Sequence, residues 1–189
     1  MKIYRVIVFL SIFINCGSIP MATGRVLGDA NWGTHMAPLF VAVANTDGPI
    51  LEMGCGDFST PLLHALCAPN NRFLLTAESD EKWMKLFDDL KRDWHHFVHV
   101  QNISKWEDVG LGIHWSVVLI DHAPAKRRVV DIKRLRSYVD IFVVHDTERK
   151  YYDYEPTLST FKYKYTYRRY KITTTLLSDT IDVARFFKN

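Results

Sequence analysis

The sequence predicts an α/β fold: a seven-stranded, mostly parallel sheet with helices on both faces and an antiparallel strand pair at the C-terminal end. Three observations predict it. Short β-like runs alternate with helical patterns, as parallel strands joined by crossover helices require. Some runs, such as Trp115-Ser-Val-Val-Leu-Ile120, are apolar enough to be buried on both faces. The alternation stops near the end of the chain, where two strand-like runs follow each other with no helix between them.

Taken in order, Pro49–Met53 reads as a buried first strand. Pro61–Leu66 reads as a helix, with Thr60 as N-cap and Pro61 at the first helical position, where its missing N–H costs nothing. Arg72–Ala77 is the second strand, with Glu78 at its end. The next helix places Trp83, Leu86, Phe87 and Leu90 on one face. Phe97–Gln101, Trp115–Ile120 and Asp140–Val144 are strands three to five. Lys126 to Tyr138 is a basic helix whose Lys126, Arg127, Arg128, Lys133, Arg134 and Arg136 are expected on a solvated face. Lys162–Leu177 and Ile181–Phe187 are expected to pair across the turn Ser178-Asp-Thr180. Tyr163, Tyr165 and Tyr167 share one face of the first of these strands, which suits packing.

A chain of 189 residues with 48% hydrophobic and 24% charged residues suits one ordinary globular domain, read here as residues 24–189. Residues 1–20 stand apart. Lys2 and Arg5 precede the apolar run Val6–Ile14, and small residues follow, the shape of a signal peptide. Its use implies secretion or the secretory lumen. The alternatives are an uncleaved signal anchor, or translation from Met21 and a cytoplasmic domain. The run is short for a membrane span. Net charge is +3, and +1 without the leader (22 basic against 21 acidic residues), so charge gives no reason to expect a nucleic-acid partner. Cys55 and Cys67 fall at opposite ends of one helix, out of disulfide reach. The sequon Asn102-Ile-Ser104 reads as chance. His95, His96 and His99 have no metal-ligand spacing.

Ligands on open α/β sheets bind beyond the C-terminal strand ends, so the residues there carry the functional argument. After the first strand comes Glu52-Met-Gly54-Cys-Gly56-Asp-Phe-Ser-Thr60. Two glycines permit a tight turn and a close ligand approach, and the following helix offers free N–H groups. Phe58 and Ser59 replace the third glycine of a dinucleotide fingerprint, which argues against NAD. Glu78, 22 residues beyond Gly56, is placed to accept ribose hydroxyls, and this is the preferred reading; an acid favoured by the following helix dipole is the alternative. Strand four ends in Asp121-His122, and strand five in His145-Asp146-Thr-Glu148. Neighbouring parallel strands would bring these to one cleft. They suit general-base chemistry, a divalent metal held by Asp121 and Asp146, or plain loop capping. Thr34 is expected to cap a helix over Met36–Ala44, while Trp32 and His35 are left open.

The order Glu52–Thr60, Glu78, Asp121 and a terminal antiparallel pair resembles class I S-adenosylmethionine-dependent methyltransferases, across most of residues 32–187. The resemblance implies a Rossmann-like three-layer sandwich. It also implies S-adenosylmethionine held by Glu52, Gly54, Gly56, Glu78 and Asn102, the last beside the adenine. The strand-four and strand-five ends resemble those of small-molecule and sugar O-methyltransferase-like proteins, some of which hold Mg²⁺ or another divalent cation there. This implies Asp121, His122, His145 and Asp146 as catalytic residues and a small-molecule or glycan acceptor. A secreted binding or scaffold domain without catalysis is the alternative, and metal-dependent hydroxylation a weaker third.

Overall fold

The computed structural model describes residues 30–188, so the leader and its cleavage lie outside the described residues. Seven strands form one sheet in the order β3-β2-β1-β4-β5-β7-β6. They are β1 (Ile50–Met53), β2 (Leu74–Glu78), β3 (His95–His99), β4 (Trp115–Ile120), β5 (Val139–Val144), β6 (Tyr163–Tyr167) and β7 (Thr174–Ser178). The first five run parallel; β7 is antiparallel to both β5 and β6. The architecture is the predicted one.

Side-chain alternation along the central strands builds two cores. Leu51, Met53, Val118, Ile120, Phe142 and Val144 pack on one face with Trp106, Ile132 and Leu135. Ile50, Val117, Leu119, Ile141 and Val143 pack on the other with Leu39, Ala42, Leu63 and Cys67. The helices α1 (Met36–Ala44) and α2 (Ser59–Cys67) cover this second face, and α4 (Arg127–Leu135) covers the first. Among the described residues no helix is long and apolar enough to cross a membrane.

The structure corrects several local expectations. β3 begins at His95, two residues early, because His95 is fully buried against β2. The C-terminal pair is made inside the segment expected to be its first strand. The exposed basic stretch Arg168–Lys171 reverses the chain, so that Tyr163 pairs with Ser178 and Tyr167 with Thr174. Residues Val183–Phe187 form a 3₁₀ turn capped by Asp182, and Phe187 stacks on Tyr165. After β2 a single α-turn, α3 (Glu81–Met84), passes into a 3₁₀ helix over Lys85–Leu90. The tighter winding turns Leu86 out to solvent while Phe87 stays buried.

The basic helix is not a solvated face. Asp131, wholly buried, accepts from His122, Arg127 and Arg134. Arg128 is 6% exposed, and Arg136 pairs with Asp179 at 2.6 Å. A buried carboxylate needs such partners, so Arg127 and Arg134 turn in to Asp131. Arg128 and Arg136 turn to carboxylates on other elements, and of the basic residues only Lys126 and Lys133 are left in solvent.

Candidate active site

The turn after β1 is built around Gly54. Its φ is +93°, and a Cβ there would stand 2.8 Å from the backbone of Asp121 and His122. Only glycine allows this backbone conformation and lets the β4 end come so close. Gly56 differs: its nearest neighbour for a Cβ would be Ser59 Oγ at 3.6 Å, which leaves room beside the chain. Thr60 does not cap α2. Its hydroxyl accepts from Gly56 N–H at 2.9 Å and reaches the Glu52 carboxylate. Glu52 is 0% exposed and also accepts from Thr76 at 2.7 Å. Burial pushes its carboxyl up to about 7, against hydrogen bonds that lower it. Glu78 fastens the turn from the neighbouring strand: its carboxylate accepts from the N–H groups of Cys55 (3.1 Å), Ser79 (2.6 Å) and Asp80 (2.8 Å).

A cavity of about 260 Å³ opens beside this turn. Cys55 to Ser59 form one wall. Asp121, His145 and Asp146 from the β4 and β5 ends adjoin it, with Trp32 and His35 from the segment before α1, and Trp83, Arg149 and Ile172 complete the lining. β4 and β5 are in register, Ile120 beside Val144, so Asp121 and His145 emerge as neighbours. Asp121 Oδ2 lies 3.2 Å from His145 Nδ1, and His145 Nε2 lies 3.0 Å from Thr34 Oγ1. Arg128 reaches Asp121 Oδ1 at 3.0 Å and Asp146 Oδ2 at 3.3 Å, and donates to the carbonyls of Asp121 and His122.

The charges follow from these contacts. Burial alone would raise the Asp121 carboxyl. The His145 hydrogen bond and the charges of His145 and Arg128 outweigh it and hold Asp121 below the usual range. Burial would lower His145, but the bond and charge of Asp121 prevail and raise it. His35 is 3% exposed, and neither of its ring nitrogens has a hydrogen-bond partner. Burial pushes its pKa down to about 4, so the ring is neutral near pH 7. Its ring meets that of His145 edge-on at 4.6 Å.

Of the sequence-predicted residues, Gly56, Asp121, His145 and Asp146 line the cavity, and Glu52, Gly54, Glu78, His122 and Asn102 do not. Glu52 points into the core beneath α2. Consecutive side chains leave the chain on opposite sides, so Asp121 faces the α1 side and His122 the α4 side, buried against Asp131 and the Trp106 ring. Burial lowers the His122 pKa despite its Asp131 bond. Asn102 spends its side chain capping the 3₁₀ helix Ile103–Asp108. Asp146, at φ +58°, spends its carboxylate on Arg128 and Arg149 and is not among the residues whose ligand atoms converge with that of Asp121. Sequence reasoning assigned no role to His35 and read Thr34 as a helix cap. The cap position falls to His35, which makes no side-chain capping bond, and Thr34 binds His145. The position of this segment just before the first β–α unit was the one signal available.

No protein-family model matches the chain, and no curated protein matches it in sequence. Solved structures do match in shape. A human methyltransferase 10 domain containing protein aligns with a TM-score of 0.56 at 14% identity, over 94% of this chain and 96% of its own. The N-terminal domain of human METTL16 in complex with SAH aligns at 0.56 and 14%, over 87% and 76%. TrmK of M. capricolum, in complex with S-adenosyl-homocysteine, aligns at 0.50 and 11%, over 76% and 68%. This chain therefore has a class I methyltransferase-like, Rossmann-like fold.

Proposed function

We propose that this protein is an S-adenosylmethionine-dependent methyltransferase that acts on a hydroxyl, or less favourably an amine, of a small molecule or glycan. One observation carries the reading: the glycine turn after β1 and the Asp121–His145 pair open on the same cavity. The residues fit the cofactor. Gly56 leaves space where a side chain would stand, and the α2 N-terminus offers N–H groups. Glu78 does not line the cavity, but its Oε2 accepts from Cys55, which does, and retains acceptor capacity for a sugar hydroxyl. When bound, S-adenosylmethionine supplies an already activated methyl group. The chain then has to align an acceptor and accept its proton. The carboxylate of Asp121 orients the His145 imidazole and makes it more basic, and His145 takes the proton.

A second reading, binding without turnover, draws on one fact. Both His145 ring nitrogens are already engaged, by Asp121 and Thr34. One experiment separates the two. The full-length protein is titrated calorimetrically with S-adenosylhomocysteine and then assayed for methyl transfer to a panel of hydroxyl compounds, glycans, amines and nucleic acids. Binding is expected, weakened by about 1.5–3 kcal/mol in Glu78→Ala. Turnover is expected to fall by about 10²- to 10⁴-fold in His145→Gln at unchanged affinity. Saturable binding with no turnover across the panel selects the scaffold reading, and no binding by folded protein overturns both.

A further inference from the structure

His35 raises a separate question. A buried polar group without a partner is costly, and neither ring nitrogen of this one, which lines the cavity, has a hydrogen-bond partner. Its donors face two others from different elements. One ligand atom each from His35, Asp121 and His145 lies within 4.8 Å of the rest. We propose that these three residues form a binding site for one divalent transition-metal ion of the Zn²⁺, Co²⁺ or Fe²⁺ class.

The surroundings of the trio are those that metal ligands need. A ligating histidine usually has its other nitrogen held by an outer partner. His145 Nε2 meets the Thr34 hydroxyl at 3.0 Å, which leaves Nδ1 facing Asp121 and the cavity. A hydroxyl accepts as readily as it donates, so Thr34 suits the tautomer with Nδ1 unprotonated. Asp121 is held likewise: Arg128 takes Oδ1 at 3.0 Å and leaves Oδ2 toward His145. Asp146 pairs with Arg128 at 3.3 Å, so that guanidinium does not stand uncompensated beside a cation. Thr34, Arg128 and Asp146 thus orient the ligands without ligating.

The donor set decides the class of ion. Two imidazoles with one carboxylate suit zinc and non-haem iron, whereas Mg²⁺ prefers oxygen donors. Three protein ligands also leave positions open to a ligand in the cavity. The site itself rests on the donors. With the ion bound, both His145 nitrogens are engaged and the ring no longer takes the acceptor's proton. What the ion does rests on the methyl-transfer reading, in which it would act as a Lewis acid that makes the acceptor hydroxyl easier to deprotonate.

The test uses full-length protein stripped with EDTA. It is titrated with Co²⁺, followed by visible absorption, and with Zn²⁺ and Mg²⁺ by calorimetry. One Co²⁺ or Zn²⁺ per chain is expected, with Mg²⁺ far weaker. His35→Gln should weaken Zn²⁺ binding by at least about 100-fold, the upper end of what losing even an outer partner costs. His64→Gln removes the other close imidazole pair, His64–His95, and should change nothing. If His35→Gln fails to fold, ring-nitrogen NMR of the wild type decides: Zn²⁺ should shift His35 and His145 alone among the eight histidines. The proposal is overturned by folded wild type that binds no stoichiometric Co²⁺ or Zn²⁺, by Zn²⁺ affinity unchanged in His35→Gln, or by NMR shifts at other histidines only. S-adenosylhomocysteine titration of the same samples keeps the two ideas apart. Cofactor binding without metal binding sinks the metal site alone, and the converse sinks the methyl-transfer reading alone.

Discussion

Replacing Gly54 with alanine puts a methyl carbon 2.8 Å from the carbonyl carbon and oxygen of Asp121 and from Cα of His122. All three are backbone atoms, so no side chain can swing away. Two costs add. An L-residue held at φ +93° is strained by about 1–2 kcal/mol, and forcing an extra carbon into packed backbone costs about 1–3 kcal/mol. Gly54→Ala should therefore destabilise the fold by about 2–5 kcal/mol and push Asp121 away from its place beside His145. Gly56→Ala is the internal control. Its Cβ meets nothing nearer than 3.6 Å, and the φ of Gly56 is not positive. Stability there should stay level or rise by up to about 1 kcal/mol through the stiffer unfolded chain. Under the proposed function the cost should appear in binding, because the added methyl would stand where the proposed cofactor approaches. S-adenosylhomocysteine affinity should fall at least about tenfold, some 1.4 kcal/mol. Urea unfolding of both variants and calorimetry of the second measure these effects. A loss below about 1 kcal/mol in Gly54→Ala would show that the turn does not need glycine. A Gly56→Ala protein that folds and binds like wild type would show that the slot beside this turn is not where the cofactor goes.

Two further outcomes follow from buried charge. Arg128→Met leaves Asp121 and Asp146 without their shared cation and two carbonyls without a donor, so urea unfolding should show a loss of about 3–5 kcal/mol; a change under about 1 kcal/mol would contradict the pairing. Glu52 has a folded pKa near 7, above its ordinary 4.5, because burial disfavours its charge. The folded state holds this proton more tightly, so its stabilising effect is full below about pH 4.5 and is lost as pH rises toward 7. Glu52→Gln should thus gain about 2.5 kcal/mol relative to wild type between pH 5 and pH 8, and a difference flat with pH would refute the buried-acid assignment.

Where a property was written in local pattern, the sequence carried it. Apolar runs alternating with helical ones gave the parallel strands, because burial on both faces demands such runs. The adjacency of Asp121 and His145 was also legible, since parallel strands in register end side by side. Even the exclusion of His122 was written there, in strand parity, although the reading grouped it with Asp121.

Long-range pairing could not be read in the same way. Nothing local in the basic helix announces that four arginines turn inward, because the cause is a carboxylate, Asp131, buried on the helix's own inner face and partners on other elements. Thr34 and His35 precede the first strand by some fifteen residues and meet His145 only because α1 packs on the sheet face that Asp121 and His145 share. The sequence alone determined the α/β class, the parallel strands and which strand ends meet, since these follow from periodicity and hydrogen-bond geometry within short segments. Only the tertiary structure decided which imidazoles share the cavity, because burial and ionic pairing depend on atoms that stand far apart along the chain.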